Sequence, residues 1–295
     1  MARRATASRA FALLAAMTLA GCIAAPGATD PAAAHQRAQT VLSAWAEAVA
    51  AAGEHAAVTP VRELTSQIGD WEEAVGDNNK RALMAGMIAS DRPLSEDAPP
   101  DGEVEWQDGT TTKVPLISAQ QAIVAMESTT EAPCSDCTML LVTEAQLTSG
   151  PIQTTRGPAT APIWEFTVEG TAVKVTRVAI ANPVVVAPDE GGWGLGLAID
   201  SASGTVDGSE LTVAFVGAPN PGNMACGEDY TAEAVESELA VVVIVTRHPR
   251  VAPLGEACTA AGARRTATAT LAAPLGDRVV LDLQQGTPVP IVLAP

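Results

Sequence analysis

An α+β chain is what this sequence predicts: an N-terminal helix and an antiparallel α+β domain, followed by a small all-β sandwich. Three observations carry that reading. One long segment near the N-terminus repeats its apolar residues at helical spacing. From Val61 to about Ile180 the period falls toward two, with one short helical interruption. Beyond a proline- and glycine-rich stretch at 181–196, no helical period survives.

The first helix starts where Asp30 offers an N-cap and Pro31 the first helical position. Val41, Leu42, Trp45 and Val49 then recur on one stripe, and Gly53 closes the segment. A stripe this narrow suits packing on a sheet rather than burial all round. Strand-like runs follow at Leu64–Trp71 and Arg81–Ile88, around the polar turn Gly76-Asp77-Asn78-Asn79. Glu103–Trp106 and Thr112–Ile117 flank Asp108-Gly109, a hairpin signal because Asp-Gly tolerates the positive φ of a tight primed turn. Ser118 caps a short helix carrying Ala122, Ile123 and Met126. Met139–Leu147, Ile163–Val168 and Val173–Ile180 complete the first half as strands.

Pro183, Pro188 and Gly191-Gly192-Trp193-Gly194-Leu195-Gly196 mark the best domain boundary. Past it, Leu211–Val216, Tyr230–Glu236, Leu239–Arg247, Arg265–Ala272, Arg278–Leu283 and Val289–Leu293 read as strands. Their spacing suits a sandwich, and Pro288 and Pro290 place the last strand at an edge. The expected organisation is a signal segment at 1–21 and a tether at 22–30. An α+β domain at 31–185, a linker at 186–198 and a β-sandwich at 199–295 follow.

The N-terminal residues speak to location. Arg3, Arg4 and Arg9 form a positive region without an acid, and the apolar run Ala10–Ala20 is too short to span a bilayer. This is the pattern of a secretion signal. Its ending, Leu19-Ala20-Gly21-Cys22, resembles the lipobox of bacterial lipoproteins. The resemblance implies diacylglycerol on the Cys22 thiol and cleavage just before it. It also implies a membrane partner through that lipid and a place on the outer face of the cell membrane.

Charge narrows the partners. The chain has 17 basic and 34 acidic residues. Residues 1–21 hold three of the bases and none of the acids, so what remains carries 14 against 34, a formal −20. Such a surface repels phosphate backbones, which excludes nucleic acid, and disfavours a broad face on anionic lipid.

Four cysteines remain besides Cys22, an even count that suits an oxidising compartment. They fall as Cys134/Cys137 and Cys226/Cys258, and pairing within each group is the simplest arrangement. In the loop-entropy model the longer bridge contributes roughly 3–4 kcal/mol and the shorter about 2. A redox role for Pro133-Cys134-Ser135-Asp136-Cys137 needs a thiolate at a helix N-terminus. This motif instead follows a helix and leads into a strand-like run, so a structural bridge is expected.

Other chemistry finds little support. The histidines, His35, His55 and His248, sit in no metal-ligand spacing, and no metal or cofactor is expected. The acidic stretch from Glu96 to Asp108 lacks the ligand ladder of a calcium loop. No Gly-x-Ser-x-Gly elbow or Ser-x-x-Lys pair is present, and Gly192–Gly196 lacks dinucleotide-fingerprint spacing. No catalytic residue is assigned. Trp106 and Trp164 lie in alternating strands and belong to the core. Trp71, beside Asn78 and Asn79, and Trp193 in the glycine stretch form a candidate recognition surface.

Several phrases carry a further resemblance. Gly69-Asp70-Trp71-Glu72 with Gly76-Asp77-Asn78-Asn79-Lys80, Gly157–Phe166, Cys226–Glu233 and Ala273–Arg278 are similar to uncharacterised secreted, lipid-anchored proteins of actinobacteria. That family implies location and architecture but no activity. The segment Ser118–Ile180 is also similar to PepSY-like domains, and no function is carried over from it. The expectation is a non-enzymatic, lipid-anchored envelope protein that binds a partner, such as another envelope protein, or has a structural role. The alternative is a cell-surface hydrolase of wall or glycan material, for which a close pair of buried carboxylates in a cleft would be the mark. A solute-binding lipoprotein needs two lobes of repeated βα units, which this chain lacks.

Overall fold

The computed structural model describes residues 30–53, 58–61, 64–71, 78–128, 134–251 and 257–294. The expected signal segment, Cys22 and the expected tether up to residue 29 lie outside them. The chain is mostly β, with 42% strand against 15% helix spread over several sheets, so the helices serve as covers for sheets.

Helix α1 (Pro31–Ala52) begins as its sequence predicts. The Asp30 carboxylate accepts from the Ala32 and Ala33 N–H groups at 3.0 and 3.3 Å, with Pro at the first position. Strand β1 (Thr65–Ile68) falls in an expected run. The next segment differs where it is described: helix α2 (Asn78–Met84) takes Asn78 and Asn79 and most of the expected strand at 81–88, leaving β2 (Ile88–Ser90) as strand. Lys80-Arg-Ala-Leu-Met84 contains good helix formers and no β-branched residue. Burial of Ala82 then fixes which side faces in.

Strands β3 (Gly102–Trp106) and β4 (Thr111–Val114) form the expected hairpin with a different turn. Gly109 N–H donates to Trp106 O at 2.9 Å and Trp106 N–H to Thr110 O at 3.0 Å. Only Gly109 has positive φ, at 79°. This is a type I turn closed by a left-handed glycine, rather than a two-residue primed turn. Ser118 caps α3 (Ala119–Glu127) through a full capping box with Gln121.

The spine of the first sheet is the hairpin of β5 (Leu140–Thr154) and β6 (Gly157–Val168), both longer than their expected strands. One edge of β6 pairs with β5 throughout. Its other edge is shared by β3, at Ala159 and Thr160, and β7 (Lys174–Val178), at 163–167. Pro162, which reads as a breaker, falls in the gap between those two partners. The sheet runs β1-β7-β6-β3-β4, with β5 and β2 continuing beyond β6. Its core gathers Phe166, Val104, Ile88, Ile123 and Met126, with Trp106 and Trp164 buried as expected.

The second half is sandwich-like, with sheets of three and four strands. β10 (Glu228–Glu236), β11 (Ala240–Pro249) and β13 (Val279–Asp282) form one. β12 (Ala263–Thr270), β9 (Glu210–Gly217), β8 (Ser201–Thr205) and β14 (Ile291–Ala294) form the other. Strand β8 was not expected, because Ser-Ala-Ser-Gly-Thr has weak β-propensity; pairing with β9 and β14 on its two sides holds it. As Pro288 and Pro290 predict, β14 is an edge strand.

Helix α1 does not join the first sheet, where the expected 31–185 domain placed it. Ala34, Ala38, Val41, Leu42 and Trp45 pack on Ala240, Val242 and Ile244 of β11 and on Val279 and Leu281 of β13. The alternate residues Val241, Val243 and Val245 face the sandwich interior with Phe215 and Val213. Strand β11 is therefore buried on both faces, and α1 forms a third layer over the sandwich.

Candidate functional site

A shallow concavity crosses the first sheet. It is an open groove of about 680 Å³, bordered by Pro99, Asp101, Glu103, Glu105, Lys113 and Leu147 among others. Strand alternation builds it. Val104 and Trp106 point into the core, which turns Glu103 and Glu105 out to solvent. Register sets Glu103 opposite Lys113, and Glu105 opposite Thr111 and Thr160. The groove's acids are exposed. It can offer hydrogen bonds and a mixed-sign surface, and it holds no buried acid–base pair.

The one fully buried carboxylate among the described residues is Asp282, 4% exposed at the end of β13. It accepts from the backbone N–H groups of Ile199 at 3.0 Å and Gln285 at 2.8 Å. Burial pushes its pKa up despite these donors. Its oxygens are occupied in fixing the 282–287 turn, which makes it a structural bracket.

Stronger electrostatic pairs serve the same end. Arg247 binds Glu228, and Glu228 also accepts from the Tyr230 hydroxyl at 2.9 Å. The Arg247 guanidinium holds the Glu228 carboxyl below its usual range, against the opposing effect of burial. Tyr230 packs edge-on against Phe215 and accepts from the Ala218 N–H at 2.5 Å, pinning the loop after β9. Arg278 reaches Glu236 at 2.6 Å and the carbonyls of Ala273 and Pro274 at 2.8 Å, clamping the turn before β13.

Both cysteine pairs sit at disulfide distance, with Cα separations of 5.4 Å for Cys134–Cys137 and 5.5 Å for Cys226–Cys258. A turn, not a helix N-terminus, carries Cys134–Cys137, and β5 follows it. Arg81 of α2 bonds Asp136 of that turn at 3.1 Å. Cys134, Asp136 and Cys137 are also the one group of potential metal ligands among the described residues, and its two sulfurs bond to each other.

The candidate recognition residues sit on different elements. Trp71 is half-buried against the first core, its indole N–H donating to Gln67 at 2.6 Å. Asn78 and Asn79 open α2, and their side chains lie outside the described residues. Trp193 is 65% exposed on a turn held by the second half. That turn belongs to the expected linker, yet it is bonded down. Asp189 N–H donates to Gln285 O at 3.2 Å and Gly192 N–H to Gln284 O at 3.3 Å. Gly192 is buried so closely that a Cβ there would lie 2.3 Å from Leu283 O. Arg37 of α1 adds bonds to Asp189 at 2.7 Å and to the carbonyls of Leu283 and Gln284.

Sequence reasoning missed this Arg37–Asp189 junction, and an arginine on a polar helix face gives no signal of its partner 152 residues away. No family model, no curated protein and no solved structure matches the chain.

Proposed function

We propose that this chain is a lipid-anchored protein of the outer face of the cell membrane, of the secreted actinobacterial kind, working as a non-enzymatic binding or structural module. The observation that carries the anchoring is Leu19-Ala20-Gly21-Cys22 at the end of a positively charged, short apolar leader. No helix among the described residues is long and apolar enough to cross a membrane, which is compatible with a lipid as the attachment.

Solvated groove acids support the non-enzymatic part, as do the carboxylates engaged in structural bonds. A glycoside hydrolase needs two carboxyl groups flanking a bound sugar, one of them with a raised pKa. Among the described residues the acid raised by burial is Asp282, and backbone donors occupy it. The finer architecture proposed is an α+β unit carrying the groove and a sandwich unit carrying α1, each with its own disulfide.

The test is fractionation of the producing cells with mass spectrometry of the mature N-terminus. Wild type should sediment with membranes and carry acyl chains on Cys22, and Cys22→Ala should appear in the soluble extracytoplasmic fraction. A freely soluble wild type, cut without acylation, would overturn the proposal.

A further inference from the structure

Resting on the anchoring proposed above, we infer that the Gly191–Gly196 turn lies against the bilayer that holds the anchor, with Trp193 in its interfacial layer. Chain length and helix geometry set this up. Seven residues lie between Cys22 and Asp30, and the eight Cα–Cα steps across them reach at most about 29 Å. The start of α1 therefore stays within that reach of the lipid on Cys22.

Arg37 lies six residues into the helix from Pro31, about 9 Å along its axis, and helical side chains lean toward the N-terminus. Its guanidinium is on Asp189, and a Cβ on Gly191 would stand 3.1 Å from Arg37 Nη1. Trp193 follows two residues later, within about 7 Å of Gly191. The turn is thus fixed at the end of the helix from which the tether departs.

Its chemistry suits that place. Trp193 is 65% exposed, and Val185 of the same segment is 60% exposed. An indole combines an apolar body with one N–H donor and partitions to the membrane–water boundary. Arg37 answers the charge of Asp189, which leaves Glu190 as the turn's other acid. A zwitterionic surface is accordingly the one this turn fits, since the chain's acidity opposes anionic lipid. The turn is also rigid, because backbone bonds to Gln284 and Gln285 hold it. Presenting Trp193 costs little ordering on contact.

Quenching by brominated lipid tests the inference. The full acylated protein is reconstituted in phosphatidylcholine vesicles with brominated or plain acyl chains, as wild type, Trp193→Phe and Trp71→Phe. Brominated chains should quench wild-type emission, Trp193→Phe should lose most of that quenching, and Trp71→Phe should retain it. Undiminished quenching in Trp193→Phe, or none in a wild type that floats with the vesicles, would overturn the inference while leaving the anchor standing. A wild type that carries no lipid and does not float would overturn both.

Discussion

Replacing Trp45 by alanine tests the placement of α1 directly. Trp45 is 2% exposed and is among the largest side chains closed off from solvent. It fills the layer between α1 and the outer face of β11, where Ala240, Val242 and Ile244 would line the resulting cavity. Truncating a buried Trp to Ala costs about 3–5 kcal/mol, from lost transfer free energy and the cavity left behind. Tenfold in an equilibrium corresponds to about 1.4 kcal/mol. Amide protection governed by opening of this layer should therefore fall by about two to three and a half orders of magnitude. Hydrogen exchange with peptide-level mass spectrometry supplies the readout. Peptides from β11 and β13 should exchange far faster in Trp45→Ala, and those spanning β5 and β6 should keep their wild-type rates. A loss of protection shared equally by β5 and β6, or no loss in β11, would refute the assignment of α1 to the sandwich.

Two further outcomes follow from particular contacts. His35 donates from Nδ1 to Pro31 O at 2.8 Å and from Nε2 to Glu233 at 2.9 Å, and these bonds, the backbone one first, raise its pKa above the usual value. A raised folded-state pKa makes the contribution full below the unfolded imidazole value and removes it as pH rises through the folded one. NMR titration should place the His35 midpoint above that of an unfolded-chain histidine, and His35→Gln should flatten stability across that window. Replacing Cys226 and Cys258 together by serine should cost roughly 3–4 kcal/mol, and the Cys134/Cys137 pair about 2. Thermal unfolding and non-reducing peptide maps check both, and a cross-paired map would contradict the topology.

Much of the second half was legible because each strand carries its own signal. Turns at Gly276-Asp277 and Gln285-Gly286, and alternating or continuous apolar runs, located the strands to within a few residues. Those missed were held by their neighbours rather than by their own residues. Strand β8 is small and polar and exists because β9 and β14 pair with it. Helix α2 carries no helical signal of its own, because seven residues are too few for a helical period to declare itself. The candidate site was less legible still. The groove depends on which strands the long β5–β6 hairpin sets side by side, and Glu103 reads locally as one more acid in a solvated stretch. Pairing Arg37 with Asp189 needs the whole fold.

The partner of α1 was nevertheless written in the sequence, some two hundred residues away. Ala240-Val-Val-Val-Ile-Val245 is continuously apolar, and in a strand one apolar face alternates with a polar one unless both faces are covered. A two-sheet sandwich covers one. The other must be closed by an element with a matching apolar stripe, and the second half has no helix among its described residues. The narrow stripe of α1 is the complement: Val41, Leu42 and Trp45 meet Val242 and Ile244. The same fact changes what the N-terminus does mechanically. Since the first described element is docked on strands formed near the end of the chain, a pull on the N-terminus is borne by α1 and β11 before it reaches the first sheet. If the proposed anchor holds the protein at that end, the sandwich and its helix bear the load first, and the groove-bearing sheet is carried on them.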